Sequence, residues 1–139
     1  MTQAPKASEP WIILPGTTVG GEVGTFSVDF TIWNQNHTLR RTLNGVVDTG
    51  ASFTVVPGSI LRGLGIESFD TRTFTLADGS QRDMSVGLVH MGLAGNVAPV
   101  VAVFGPDANK ILLGALALET FGLAADAKNR RLIPAELTL

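Results

Sequence analysis

The 139-residue sequence holds 45% hydrophobic and 16% charged residues and carries a formal net charge of -2. That much apolar material argues for one folded domain with its own core, and the near-neutral balance gives none of the cationic footprint that a nucleic-acid partner demands. The absence of cysteine removes disulfides, thiolate metal sites and cysteine nucleophiles together.

In chain order, residues 1–10 are polar with two prolines and read as a flexible N-terminal tail, leaving residues 11–139 as a single domain. The apolar run Trp11-Ile12-Ile13-Leu14 stops at Pro15, too short for a membrane span or a signal-peptide core, so no membrane partner is expected and cytoplasmic residence is the default. Trp11 and Trp33 suit core or interface anchors equally. From Phe26 a two-residue period sets in: Phe26, Val28, Phe30 and Ile32 alternate with Ser27, Asp29, Thr31 and Trp33, as in a half-buried strand. Asn34-Gln35-Asn36-His37 reverses the chain, and a returning strand from Leu39 to Val47 delivers Asp48 at its end.

Pro57 opens one or two helical turns closed by Gly63 and Gly65. Next, Arg72, Phe74 and Leu76 alternate with Thr71, Thr73 and Thr75, and Met84, Val86 and Leu88 with Ser85, Gly87 and Val89. Between these arms Ala77-Asp78-Gly79-Ser80 predicts a hairpin with a type I′ turn at Asp78-Gly79, which needs positive φ at both central residues. A buried strand follows over Val97 to Phe104, and after a Gly-Pro-Asp turn come Ile111-Leu112-Leu113-Gly114 and a short helix from Ala115 to Phe121, stopped by Gly122. Leu123 to Leu139 reads as two strands around Asp126 to Asn129, with Arg130-Arg131 as a solvated turn. Many short strands with frequent turn residues indicate a mostly β domain, closed or sandwich-like.

Asp-Thr-Gly by itself is a weak signal; an aspartate capping a turn after a strand is the ordinary use of such a tripeptide. Its context is more selective, because Asp48 follows the β-branched pair Val46-Val47 and precedes Gly50, Ala51 and Ser52. A carboxylate on a tight turn leaving a buried strand has the rigidity that acid/base work requires. His37 and His90 lack ligand-like spacing to any acidic residue, so no metal is expected. A Ser52/His90/Asp126 triad can be assembled on paper, but nothing around Ser52 forms a nucleophile elbow.

Val46 to Ser52 resembles the active-site segment of retroviral-type aspartic peptidases. The Asp78-Gly79 hairpin, Ile111 to Gly114 and the helix after it follow in that family's order, across about Phe26 to Ile133. The pattern is most similar to the small bacterial, gag-polyprotein-like members. The resemblance implies a closed retropepsin-like β-barrel with a flap hairpin and one short C-terminal helix, and an aspartic endopeptidase acting on polypeptide without a cofactor. It implies that Asp48, Thr49 and Gly50 form the catalytic turn, with Thr49 making cross-subunit bonds and Gly50 admitting substrate backbone. Val46, Ala51 and Leu112 would line substrate pockets, Ala77, Asp78, Gly79 and Ser80 would form the flap tip, and Gly114 would let the helix pack beneath the turn. Only one Asp-Thr/Ser-Gly occurs, so the second carboxylate of a dyad would come from another copy in a homodimer. The pattern departs at Ser52, where an acidic residue is usual, and at Ala115, where arginine or asparagine is. A non-catalytic dimerisation or peptide-binding module on the same fold, or an unrelated small β-barrel in which Asp48 caps a turn, are the other readings the residues allow.

Overall fold

A computed structural model describes residues 18–19, 25–108 and 110–139. The tail expected over residues 1–10, its boundary at residue 11 and Trp11 lie outside the described residues. The alternation from Phe26 becomes β2 (Phe26–Trp33), whose Phe26, Val28, Phe30 and Ile32 are all buried. Its outward side chains are half-buried or tied to neighbours, as with Thr31, whose hydroxyl meets that of Thr42 at 3.1 Å. A two-residue strand, β1 (Thr18–Val19), pairs with its outer edge. The Asn34 carboxamide holds the following turn, its Oδ1 accepting the amides of Thr38 and Leu39. The chain then returns as β3 (Arg40–Asp48), antiparallel to β2.

Six strands close on themselves. β3 pairs with β8 (Leu112–Gly114), β8 with β4 (Thr54–Pro57), β4 with β7 (Asn96–Gly105), β7 with β6 (Gln81–Leu93), and β6 returns to β2 through Thr31↔Gly92, Ile32↔Met91 and Trp33↔His90. Closure leaves the barrel itself without an edge. β5 (Ser68–Thr75) hangs on the far side of β6 and is an edge strand among the described residues, exposed along nearly its whole length and offset by an irregularity between Ser68 and Asp70. Among the described residues no helix is long and apolar enough to cross a membrane.

β6 corrects the simple alternation expected from sequence. Val89, Met91 and Leu93 are buried in the barrel core, while Val86, buried on the opposite face, pairs with the equally buried Val103. β6 is therefore buried on both sides where it pairs with β7, and Val89 belongs to an inward set rather than a polar one.

Among the described residues two short helices pack against the barrel, the C-terminal one and the helical turns expected after Pro57. α1 (Gly58–Gly63) is the segment anticipated after Pro57; Gly65 donates to the Arg62 carbonyl and Ile66 to that of Leu61, the paired bonds of a Schellman ending. Its first turn is capped from afar, the Asp107 carboxylate accepting the Ser59 amide at 3.1 Å, and that bond holds the Asp107 carboxyl below its ordinary range. α2 (Ala115–Thr120) buries Ala117 and Leu118.

The C-terminal ribbon pairs β9 (Leu123–Asp126) with β10 (Arg131–Pro134). Arg131 is not part of a solvated turn, as the sequence suggested; it is half-buried in β10 and bonds Asp126 at 3.2 Å. The Asn129 side chain, its amide and Arg131 all donate to Asp126 and hold its carboxyl below the usual 3.8. A depressed folded-state value means that Asp126 stabilises the fold above its unfolded pKa and that this contribution disappears as pH falls through the folded value. Asp126→Asn is therefore expected to reduce the drop in melting temperature between about pH 5 and pH 2, read by thermal denaturation across that range; an unchanged acid limb would remove Asp126 from the account.

The Asp78-Gly79 hairpin forms, but not as a type I′ turn. Gly79 alone has positive φ, 84°, and donates to the Leu76 carbonyl at 2.9 Å, while Leu76 donates to Ser80 at 2.8 Å. This is a three-residue loop, a type I turn followed by one left-handed glycine. Asp78 is free to stay right-handed because its carboxylate accepts both the Ser80 amide and hydroxyl, bonds that lower its pKa. The turn with both central residues at positive φ lies instead between β6 and β7, at Ala94 (53°) and Gly95 (81°).

Candidate active site

β3 ends inside the barrel wall, and its last residue, Asp48, turns out of it half-buried. Asp48 Oδ1 accepts the Gly50 amide at 3.0 Å and its carbonyl accepts the Ala51 amide at 3.2 Å, so the turn is closed by the residue it presents. The second carboxylate oxygen accepts no hydrogen bond from a described residue. Thr49 and Gly50 are exposed beside it, and the Thr49 hydroxyl has no bond to a described residue.

The turn is held from below by the strand-to-helix junction that the sequence marked as Ile111 to Gly114. β8 runs parallel to β3, pairing Val46 with Leu112, Val47 with Leu113 and Asp48 with Gly114. The N-terminus of α2 has no side-chain cap; its first amides, Ala115 and Leu116, donate to the carbonyls of Ala51 and Ser52 at 2.8 and 3.0 Å. The Asp48 turn and the helix thus satisfy each other's backbone groups. A Cβ on Gly114 would fall 2.5 Å from both the carbonyl carbon and oxygen of Phe53, so only glycine permits that approach. Thr54, 1% exposed, accepts the Gly114 amide at 3.2 Å and ties β4 to the same junction.

Asp48 opens into a groove of about 580 Å³ between the turn and the β5–β6 hairpin. Of the residues singled out from sequence, Asp48, Gly50, Ala51, Ala77 and Leu112 line it. Val46, Thr49 and the hairpin residues Asp78, Gly79 and Ser80 do not; those three stand exposed at the loop, and Gly114 lies beneath the turn in its expected supporting place. The far wall was not anticipated: Arg72, Phe74, Met84 and Val103 also line the groove, as does Phe53 on the side of the turn. Phe53 and Phe74 meet edge to face, centroids 5.5 Å apart, joining the turn to the hairpin. The alternation of Arg72 and Phe74 was the available signal, but the face it presented could not be known without the fold.

His37 and His90 do meet despite their distance in sequence, Nε2 to Nδ1 at 2.6 Å, with Trp33 stacked on His37. They lie where β6 returns to β2, and among the described residues no group of three or more histidine or acidic side chains gathers to hold a metal. His90 approaches no serine nucleophile, its bonded neighbour being His37.

A closed β-barrel with an acidic turn at a strand end, a helix seated beneath it and a hairpin across the groove is the retropepsin-like aspartic protease fold. The chain belongs to the family described as "gag-polyprotein putative aspartyl protease", whose model matches residues 39–120. Among solved structures it is similar to a retropepsin-like aspartic protease from Rickettsia conorii, at 19% identity and a TM-score of 0.53 over 83% of this chain and 91% of that one. It also matches the simian foamy virus (mac) protease (17% identity, TM-score 0.49, 68% of this chain and 93% of that one). The EIAV protease complexed with the inhibitor HBY-793 matches at 19% identity and a TM-score of 0.47, over 81% of this chain and 91% of that one. No protein of curated function matches the chain.

Proposed function

We propose that the protein is an aspartic endopeptidase that hydrolyses peptide bonds in extended polypeptides, through a water activated by Asp48 and Asp48 of the partner subunit in a homodimer. The observation that carries this reading is the half-buried Asp48 carboxylate on a braced turn at the floor of an open groove, with one oxygen left without a donor from the described chain. One such carboxylate cannot serve as base and acid together, and two facing ones about 3 Å apart share a proton rather than both ionising, a behaviour for which aspartic proteases are the standard illustration. The ionised member takes a proton from water as its oxygen attacks the carbonyl carbon. The protonated member donates to the carbonyl oxygen; the proton gained by the first passes to the leaving nitrogen as the C–N bond breaks, and one hydroxyl of the collapsing diol returns its proton to the second carboxylate.

Thr49, exposed at the turn, is the residue to bind the partner's turn, and Gly50 leaves room for substrate backbone. The hairpin loop Ala77 to Ser80 covers the peptide as a flap, and Ala51 and Leu112 contribute to pockets beside the scissile bond, while Val46, which lies outside the groove lining, supports Leu112 as its strand partner. An extended peptide bonded through its backbone, with alternate side chains entering Leu112, Val55 and Val103, favours apolar residues at the cut.

The test is cleavage of a mixed peptide library together with sedimentation at several protein concentrations. A peptidase assembled from two copies loses activity on dilution more steeply than in proportion to concentration, its specific activity falling once below the dimer dissociation constant. A well-folded dimer that cleaves nothing would leave a peptide-binding module, and activity of a strictly monomeric species would remove the shared dyad.

A further inference from the structure

We propose that Arg72 is a specificity-determining residue of this groove, selecting substrates that carry an aspartate or glutamate outside the pair of residues flanking the scissile bond. The inference rests on reading the groove as a peptidase cleft. Asp48 and Arg72 are the charged residues among those lining the groove; the rest are apolar side chains, glycine, serine and threonines. Asp48 sits on the floor and Arg72 in the β5 wall, and the counter-ion of Arg72, Asp70, lies outside the lining.

Strand geometry aims it there. Arg72 lies two residues before Phe74 and therefore shares its face of β5, the face whose phenyl ring reaches Phe53 at the turn. Across the hairpin its register partner is Met84, itself a lining residue. Two residues of strand put Arg72 roughly 6–7 Å farther from the hairpin loop than Phe74, hence in an outer position along a bound strand rather than over Asp48.

The side chain is also oriented. Its Nε donates to Asp70 Oδ2 at 3.1 Å, and its guanidinium carbon lies 5.7 Å from the centre of the Phe69 ring. These contacts use one edge of the guanidinium and one face, while neither terminal nitrogen bonds a described residue. An end-on fork of two N–H groups remains, which matches the two oxygens of a carboxylate. Asp70 is held in turn by the Thr71 amide, and the pair is about half-exposed, so solvent screens Asp70 and the fork stays accessible.

A position-scanned peptide library tests this with wild type, Arg72→Ala and Arg72→Glu, each checked for fold by circular dichroism. Wild type is expected to cleave peptides bearing Asp or Glu at an outer position about 10-fold better in kcat/KM than those bearing Lys, with the difference in KM, since the contact is made equally before and during reaction. Arg72→Ala brings the ratio to within about twofold, and Arg72→Glu turns it toward Lys. A wild type indifferent to charge at every outer position, or an acidic preference that survives in Arg72→Glu, overturns the proposal. The same peptides bound to Asp48→Asn, read by fluorescence anisotropy, separate the two readings. Acid-selective binding reversed by Arg72→Glu in a protein that never cleaves sinks the peptidase reading and keeps Arg72, whereas cleavage without charge preference does the opposite.

Discussion

Asp48→Asn is expected to abolish peptide cleavage, lowering kcat by at least roughly 10²–10⁴-fold, with the melting temperature and dimer content of the wild type retained. The substitution is nearly isosteric. Asparagine keeps a carbonyl oxygen where Asp48 Oδ1 accepts the Gly50 amide, so the bond that closes the turn survives. What disappears is the capacity to take a proton from water. In a dyad this is lost from both members at once, because every copy carries the change. Single-turnover cleavage of a fluorogenic peptide, with purified protein free of host proteases, measures it. Residual cleavage within tenfold of wild type would mean that some other group activates water, and the groove would need a new chemistry.

Gly114→Val is expected to be the most damaging single change at the site that leaves the acid untouched, destabilising the protein by about 3 kcal/mol. The backbone of Gly114 is ordinary, φ -88° and ψ 171°, so the difficulty is room and not conformation. The added atom would meet the Phe53 carbonyl carbon and oxygen at 2.5 Å and the Ser52 carbonyl oxygen at 2.9 Å, all of them main chain. A flexible side chain could swing aside; these atoms move only if the turn separates from α2, breaking the bonds from Ala115 and Leu116 that hold it. Stability and activity should therefore fall together. Denaturant unfolding gives the first and peptide cleavage the second. A midpoint close to wild type would show that turn and helix are less closely apposed in solution.

Much of this architecture is written in short-range pattern. Phe26 to Ile32 announces a strand by its period, Gly122 marks where α2 stops, and Val46 to Ser52 reads as a strand feeding an acidic turn. The errors lie where a local signal meets a partner far along the chain. Asp78-Gly79 has the composition of a type I′ turn, yet Ser80 satisfies the Asp78 carboxylate and the loop takes three residues. Val89 looked outward by parity because nothing in residues 84–89 says that β6 is covered on both faces. Arg131 looked solvated because Asp126 faces it only once β9 and β10 pair. His37 and His90 become neighbours only when β6 closes on β2. In the groove the floor was legible and the far wall was not, since Arg72 and Phe74 acquire their roles from the hairpin's place across the groove from Asp48.

The outer border of β5 has a consequence for how the molecule behaves in company. A bare strand rim can template further strands from neighbouring molecules and so seed filaments. Here the offset after Ser68 breaks the regular spacing, and the half-exposed Asp70–Arg72 pair stands on a face beside the rim, where a docking strand would have to cover it. A protein proposed to welcome foreign strands into its groove is thereby equipped to turn them away at its border, and should remain dispersed at the concentrations its pairing requires.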